Sequence, residues 1–155
     1  MYEGDVLLGR LRDLIAKARR SGIPVIYIQH NEGEGAPLAT NTAEWRIHPE
    51  VAPEPNDRII QKYKPDSFDE TNLQQVLSAN GIQKLVMTGI QTDVCVAATC
   101  RRASELGYEV LVVQDAHSTW NQGELKAAEI IKQYNDLFAS YASTTESAGL
   151  EFVVR

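Results

Sequence analysis

From Asp5 to Arg20 the apolar positions recur every three to four residues, so that Leu7, Leu8, Leu11, Leu14, Ile15 and Ala18 fall on one stripe. That spacing predicts an amphipathic helix, and Ser21-Gly22 ends it. The period then changes: "IPVIYIQH" is dense in β-branched residues without strict alternation, the mark of a strand buried on both faces of a parallel sheet. A long polar stretch rich in Gly and Pro runs from Asn31 to Asn56, and loops of that length are usually functional or mobile.

The alternation continues to the end of the chain. "DRIIQK" reads as a short strand, and "TNLQQVLSANG" as a helix with Thr71 near its N-cap and Gly81 at its stop. "KLVMTGI" is the next strand, followed by a helix from Val94 to about Leu106 that Gly107 stops. "EVLVVQD" is a strand, "GELKAAEIIKQYNDLFASY" a long helix, and "EFVV" a closing strand. Strands alternating with helices predict an α/β fold with a mainly parallel sheet. One point is unusual: the pattern opens on a helix, whereas a doubly wound fold normally opens on a strand.

Length and charge narrow the field. A chain of 155 residues fits one domain (1–155) with a substantial core, and 43% hydrophobic with 23% charged residues is ordinary for a globular protein. A net charge of −6 without a basic cluster argues against nucleic acid or an anionic membrane as partner. The doublets Arg19-Arg20 and Arg101-Arg102 fall late in predicted helices, where they complement the dipole. No apolar run approaches the roughly 18 residues of a membrane span. "MYEGDVLL" has acids where a signal peptide needs a basic segment. The two cysteines, Cys95 and Cys100, would face different ways on one helix, so the chain reads as reduced and cytoplasmic.

The chemistry gathers where strands end. In open parallel sheets ligands bind beyond the carboxyl ends of the strands. There "QHNEG", "QKYKPDSF", "GIQTDVC" and "DAHSTW" converge. Cys95 falls in the first turn of its helix, where the dipole and free amides favour a thiolate and form an oxyanion hole. Lys62, at the end of the preceding strand, is a cation placed to lower the thiol pKa. Each residue has a plainer reading as well. A cysteine near a helix start is more often a small core hydrophobe, and Lys62 and Lys64 are commonly solvated. Asp93 fits a helix cap better than a catalytic acid, and Asp115 fits either role. Trp45 and Trp120 suit a pocket, an interface or the core. His30, His48 and His117 are scattered over different loops without ligand spacing, so no metal or other cofactor is expected.

The stretch "LVMTGIQTDVCVAATCRRASELGYEVLVVQDAHSTW" closely resembles the signature of the isochorismatase-like cysteine hydrolases. That superfamily includes nicotinamidases, N-carbamoyl amide hydrolases and ureidoacrylate-type amidohydrolases. "LIAKARRSGIPVIYIQHNEG", "WRIHPEVAPEPNDRIIQKYKPDSFDETNL" and "AAEIIKQYNDLFAS" extend the resemblance over nearly the whole chain. It implies a Rossmann-like three-layer α/β/α fold with Cys95 as nucleophile. Lys62 matches the family lysine a few residues before a Phe, here Phe68. The backbone N–H groups of Gln91 and Cys95 match the oxyanion hole, and Ile90–Gln91 matches a bond that is cis in the family. His30, Phe68, Asp115, His117 and Trp120 are candidate pocket residues.

Three departures qualify the resemblance. "HNEGEG" does not match the metal motif of nicotinamidases, which disfavours nicotinamide. Cys95 points to an amide or similar C–N bond, because members that cleave isochorismate usually lack the cysteine. The family's first strand, with a D-x-Q-type motif whose Asp is the general base, has no counterpart in "MYEGDVLL", so the chain looks truncated at its N-terminus. The resulting expectation is a small-molecule hydrolase working through an acyl-enzyme and impaired by the missing Asp. Its rivals are a non-catalytic family remnant acting as a binding or oligomeric scaffold and, more weakly, a thiol redox protein. Without that strand, "PVIYIQ" and "KLVMTG" are expected to close up or be bridged, and the chain to form a dimer or larger homo-oligomer.

Overall fold

The computed structural model describes residues 1–152. Helix α1 spans Gly4–Arg20, with Asp5 in its first turn and Lys17, Arg19 and Arg20 in its last. Its stripe buries Leu7, Leu14 and Ala18. Arg19 does more than complement the dipole, because it reaches Asp57, Glu54 and the Tyr27 hydroxyl, so the helix end is tied to the entry of the next strand pair.

Strands β1 (Ile26–His30) and β2 (Arg58–Lys62) pair in parallel, with Ile26 opposite Arg58 and His30 opposite Lys62. Helix α2 (Leu73–Ala79) covers β2 through a cluster of Ile60, Leu73, Val76 and Leu77. Strands β3 (Lys84–Ile90), β4 (Glu109–Ser118) and β5 (Ser143–Thr145) form a second parallel sheet in the order β3-β4-β5. Helix α3 (Ala97–Glu105) joins β3 to β4, and α4 (Ala127–Ala139) joins β4 to β5. Gly81 and Gly107 end their helices at φ 64° and 92°, a conformation glycine adopts without steric penalty.

Two neighbours on β4 show the layering. Val112 packs with Cys100 and Ala103 of α3, Phe138 of α4 and Val96 just before α3, whereas Val113 packs with Leu7 and Leu14 of α1. Successive side chains of a strand point to opposite faces, so helices cover both sides of this sheet. The α/β fold expected from the alternating pattern is present, in the α/β/α layering that the resemblance implies.

The sheet itself differs from expectation. Strands β1 and β3 neither pair with each other nor are bridged by another strand among the described residues. Between them lies a cavity of about 370 Å³, lined by Ile26, Tyr27 and Ile28 on one side and Met87 to Ile90 on the other. Leu11 and Ile15 of α1, with Ile47 and Val51 of the long loop, also line it. In consequence β3 has no fully buried residue despite its apolar sequence, whereas Val110, Val112, Val113 and Ala116 of β4 are buried.

The remaining corrections are local. Strand β4 runs three residues past Asp115, because beyond a register shift His117 and Ser118 pair with Gly89 and Ile90. The last helix begins at Ala127 rather than Gly123, and β5 arises from Ser143–Thr145, which had no strand pattern. Of the closing strand expected at "EFVV", Glu151 and Phe152 lie in no strand and the rest falls outside the described residues.

Candidate functional site

Cys95 lies in a wide π-helical turn, Thr92–Val96, that leads into α3. The amides of Val94 and Val96 both donate to the carbonyl of Gln91, at 3.2 and 3.0 Å, so the backbone coils around Gln91 before the α-helix proper begins. The Ile90–Gln91 peptide bond is cis. Cys95 is half-buried and carries no disulfide, and Cys100, one turn and a fraction further on, is buried in the core among Val96, Ala103 and Phe138. Burial pushes the Cys100 thiol up to about 12.

Lys62 ends β2 and is only 3% exposed. Its amine donates to the carbonyl of Pro65 at 2.7 Å, and among the described residues no carboxylate stands within ion-pair distance of it. Desolvating an ammonium is costly without an opposite charge, so this position favours an anion in the cavity it faces. That cavity, about 710 Å³, is lined by both Lys62 and Cys95, together with His30, Trp45, Gln91 and Trp120. The loop after Lys62 is fastened to α3. The Thr99 hydroxyl donates to the Ser67 hydroxyl at 2.9 Å and accepts the Ser67 amide at 3.0 Å.

His30 lies opposite Lys62 in the β1–β2 register, its Nε2 3.9 Å from Glu32, and its buried Nδ1 has no partner among the described residues. Burial, with the nearby Lys62 charge, lowers its pKa from the ordinary 6.5, which favours the neutral ring. Among the described residues no three His, Cys, Asp or Glu side chains stand close enough together to hold a metal ion.

Of the other candidates, only Trp120 shares the Cys95 cavity. Phe68 stacks on Tyr108, with ring centroids 5.8 Å apart, and packs against the core. Asp115 accepts the amide and hydroxyl of Ser147 at 2.7 and 2.6 Å and pairs with Arg10, which makes it a latch between β4, α1 and the C-terminal turn. His117 is buried beside α4, hydrogen-bonded to Thr92 and Asn135. Asp93 accepts from Thr119 at 2.7 Å and from the side chain of Gln122, so both its oxygens are engaged.

One residue that the pattern passed over organises the cavity wall. Asn31 is 3% exposed, and its side-chain oxygen accepts from the Trp45 indole at 2.7 Å and the Thr40 hydroxyl at 2.9 Å. Its amide nitrogen donates to Gln61 Oε1 at 2.6 Å and to the Gln29 carbonyl at 3.1 Å. The long loop is therefore pinned to β1 and β2, and Trp45 is held on the cavity. The signal available in sequence was a polar residue directly after a strand, which is too common to single out.

The comparisons with known proteins bear on the family and the fold. Residues 1–146 match the isochorismatase domain. The chain is 38% identical over 119 residues to a streptothricin hydrolase of Streptomyces noursei, a match covering 77% of this chain and 43% of that protein. It therefore spans less than half the length of that relative. It is 30% identical over 141 residues to the secreted isochorismatase effector Isc1 of Verticillium dahliae, covering 88% and 74% of the two chains. Among solved structures, the N-carbamoylsarcosine amidase of Thermoplasma acidophilum superposes with a TM-score of 0.81 at 28% identity, over 94% of this chain and 85% of that one.

Proposed function

The chain belongs to the isochorismatase family, and from that premise we propose that it is built to hydrolyse a small amide or similar C–N bond through Cys95. The observation that carries this reading is the pairing in one cavity of Cys95 with a buried lysine that lacks a carboxylate partner. Lys62 stabilises the thiolate. The thiolate attacks the carbonyl carbon, and the amides of Gln91 and Cys95 receive the oxyanion. Collapse expels the nitrogen with a proton and leaves a thioester, which water hydrolyses. The streptothricin hydrolase and the N-carbamoylsarcosine amidase support a hydrolytic, amide-type reaction. The presence of Cys95 argues against isochorismate as substrate, given the resemblance described above.

A proton carrier is also required. Asp93 and Asp115 are both held by other partners and neither lines the Cys95 cavity, so the role is assigned to neither. In the resemblance that role falls to an aspartate on a strand, and the gap between the unpaired β1 and β3 supports the reading that such a strand belongs between them. A positioned acid–base group contributes about 10²–10⁴-fold, so these 155 residues alone are expected to acylate but turn over poorly. The same observation favours a second reading, a non-catalytic family member serving as a binding or oligomeric scaffold. Residues 1–155 act as one domain of a cytoplasmic homo-oligomer on either reading; among the described residues no helix is long and apolar enough to cross a membrane.

The test is turnover of N-carbamoyl and simple carboxamides, read as ammonia release, with covalent acyl-Cys95 followed by intact mass. The hydrolase reading expects an adduct on Cys95, slow release, and faster turnover when a strand bearing D-x-Q is joined upstream. Cys95→Ala should abolish both. No adduct with any amide, and no gain from the added strand, would leave the scaffold reading standing.

A further inference from the structure

The turn that carries Gln91 and Cys95 is gripped from the end of β4. The Thr92 hydroxyl lies 2.7 Å from Nδ1 of His117, while Thr119 and Gln122 hold the two oxygens of Asp93. The backbone does the same, since Gly89 pairs with His117 and Ile90 with Ser118 past the register shift. The direction of the Thr92 bond follows from the far side of the ring. Asn135 donates through Nδ2 to the Gln114 carbonyl at 3.1 Å, so its Oδ1, 2.8 Å from His117 Nε2, is an acceptor. Nε2 therefore carries the proton, and the neutral Nδ1 accepts from Thr92. Thr92 is 0% exposed and His117 3%, with the imidazole edge-on to Phe138 at 5.6 Å. Burial also holds the His117 pKa below its ordinary value, in keeping with a neutral ring.

We propose that Thr92 and His117 are positioning residues for the acyl-accepting turn: the fixed imidazole holds the Thr92 hydroxyl and so aims the Gln91 and Cys95 amides at the substrate carbonyl oxygen. The proposal rests on the nucleophile reading above. Both flanks of Gln91 are then constrained, by the strand pairing of Ile90 on one side and by Thr92 on the other. An amide donor's effect on a developing oxyanion depends steeply on its placement, so a turn free to shift loses acyl transfer before it loses anything else.

The test compares two reactions of Cys95 at pH 7.5. Acetylation by p-nitrophenyl acetate forms the C–S bond, passes through an oxyanion, and expels p-nitrophenolate, which is read by absorbance. Alkylation by iodoacetamide displaces iodide at a saturated carbon and makes no oxyanion. Thr92→Val keeps the side-chain shape but removes the hydroxyl, and should lower the ratio of acetylation to alkylation rates by about tenfold or more. Thr92→Ser restores the donor and should keep the ratio within about threefold of wild type. An unchanged ratio in Thr92→Val, or a parallel fall of both rates, would overturn the proposal. If the wild-type protein releases p-nitrophenolate no faster than Cys95→Ala, the nucleophile reading fails, and this inference falls with it.

Discussion

The Thr99 hydroxyl donates to the Ser67 hydroxyl at 2.9 Å, joining the loop after Lys62 to the helix one turn beyond Cys95. The bond matters because Lys62 and Cys95 sit on strand ends that belong to different sheets. Thr99→Val leaves the Ser67 amide and hydroxyl buried without this partner, which should cost about 1–3 kcal/mol in urea unfolding. The variant should also slow Cys95 alkylation near neutral pH, because the loop that places Lys62 is released. Unchanged stability and unchanged alkylation together would show that the two strand ends are held by other contacts.

The two cysteines should be sharply distinguished by iodoacetamide. Cys100 is fully buried, and a thiol pushed up to about 12 is thiolate in roughly one molecule in 30,000 at pH 7.5. Peptide mapping of the folded protein should find the label on Cys95 alone, and on both after unfolding in urea. Lys62→Met should reduce the Cys95 rate several-fold at pH 7 while leaving the end point unchanged. Equal labelling of both cysteines in the folded state would remove the case for an activated Cys95.

Asn31→Ala should loosen the cavity wall. It strands the Trp45 indole N–H and the Thr40 hydroxyl, two donors that Asn31 now satisfies. A loss of about 1–3 kcal/mol is expected, with red-shifted tryptophan emission and new protease cleavage between 31 and 56. Emission and cleavage pattern identical to wild type would mean the loop is held without this residue.

Stability should fall on mild acidification through His117. Its folded-state pKa is below the ordinary 6.5, with burial the main cause and Asn135 and Asp115 opposing it, while Arg10 is paired to Asp115 alongside. The unfolded chain therefore binds more protons between the folded value and 6.5, so stability is full above 6.5 and declines as pH drops through that window. His30 shifts in the same direction and adds to the slope. His117→Asn should be less stable at pH 8 but show a flatter profile between pH 7 and 5, read by thermal unfolding.

What the sequence made legible was governed by local pattern. "KLVMTGI" is read as a strand over the same residues the structure assigns to β3, because the short apolar run Leu85-Val86-Met87 carries the signal without wider context. Ser143–Thr145 is polar throughout, and becomes a strand only because Leu111–Val113 offers it a ladder. The helix predicted from Val94 begins as a wider turn at Thr92, a change in winding that leaves no mark on apolar spacing. In the site, Cys95 and Lys62 were visible through their positions at strand ends. Asp115 and His117 occupy a strand end too, but the register shift in β4 breaks the alternation and sends them to the α1 and α4 sides. The absence of an opening strand was legible in "MYEGDVLL", but not that β1 and β3 stay apart, since that depends on which edges meet across the chain.

That split places the proposed reactive centre at a joint between two sheets. Among the described residues no ladder hydrogen bond crosses from β1 to β3, so the Lys62 side and the Cys95 side are held to one another by side-chain packing, α1 and the Thr99–Ser67 hydrogen bonds. The separation of the Lys62 amine and the Cys95 sulfur is then set by those few contacts rather than by a shared ladder. A molecule that reaches from Lys62 to the Gln91–Cys95 turn would act as a brace across the joint. Part of its binding energy would go into closing the gap, so its measured affinity would understate the strength of its contacts.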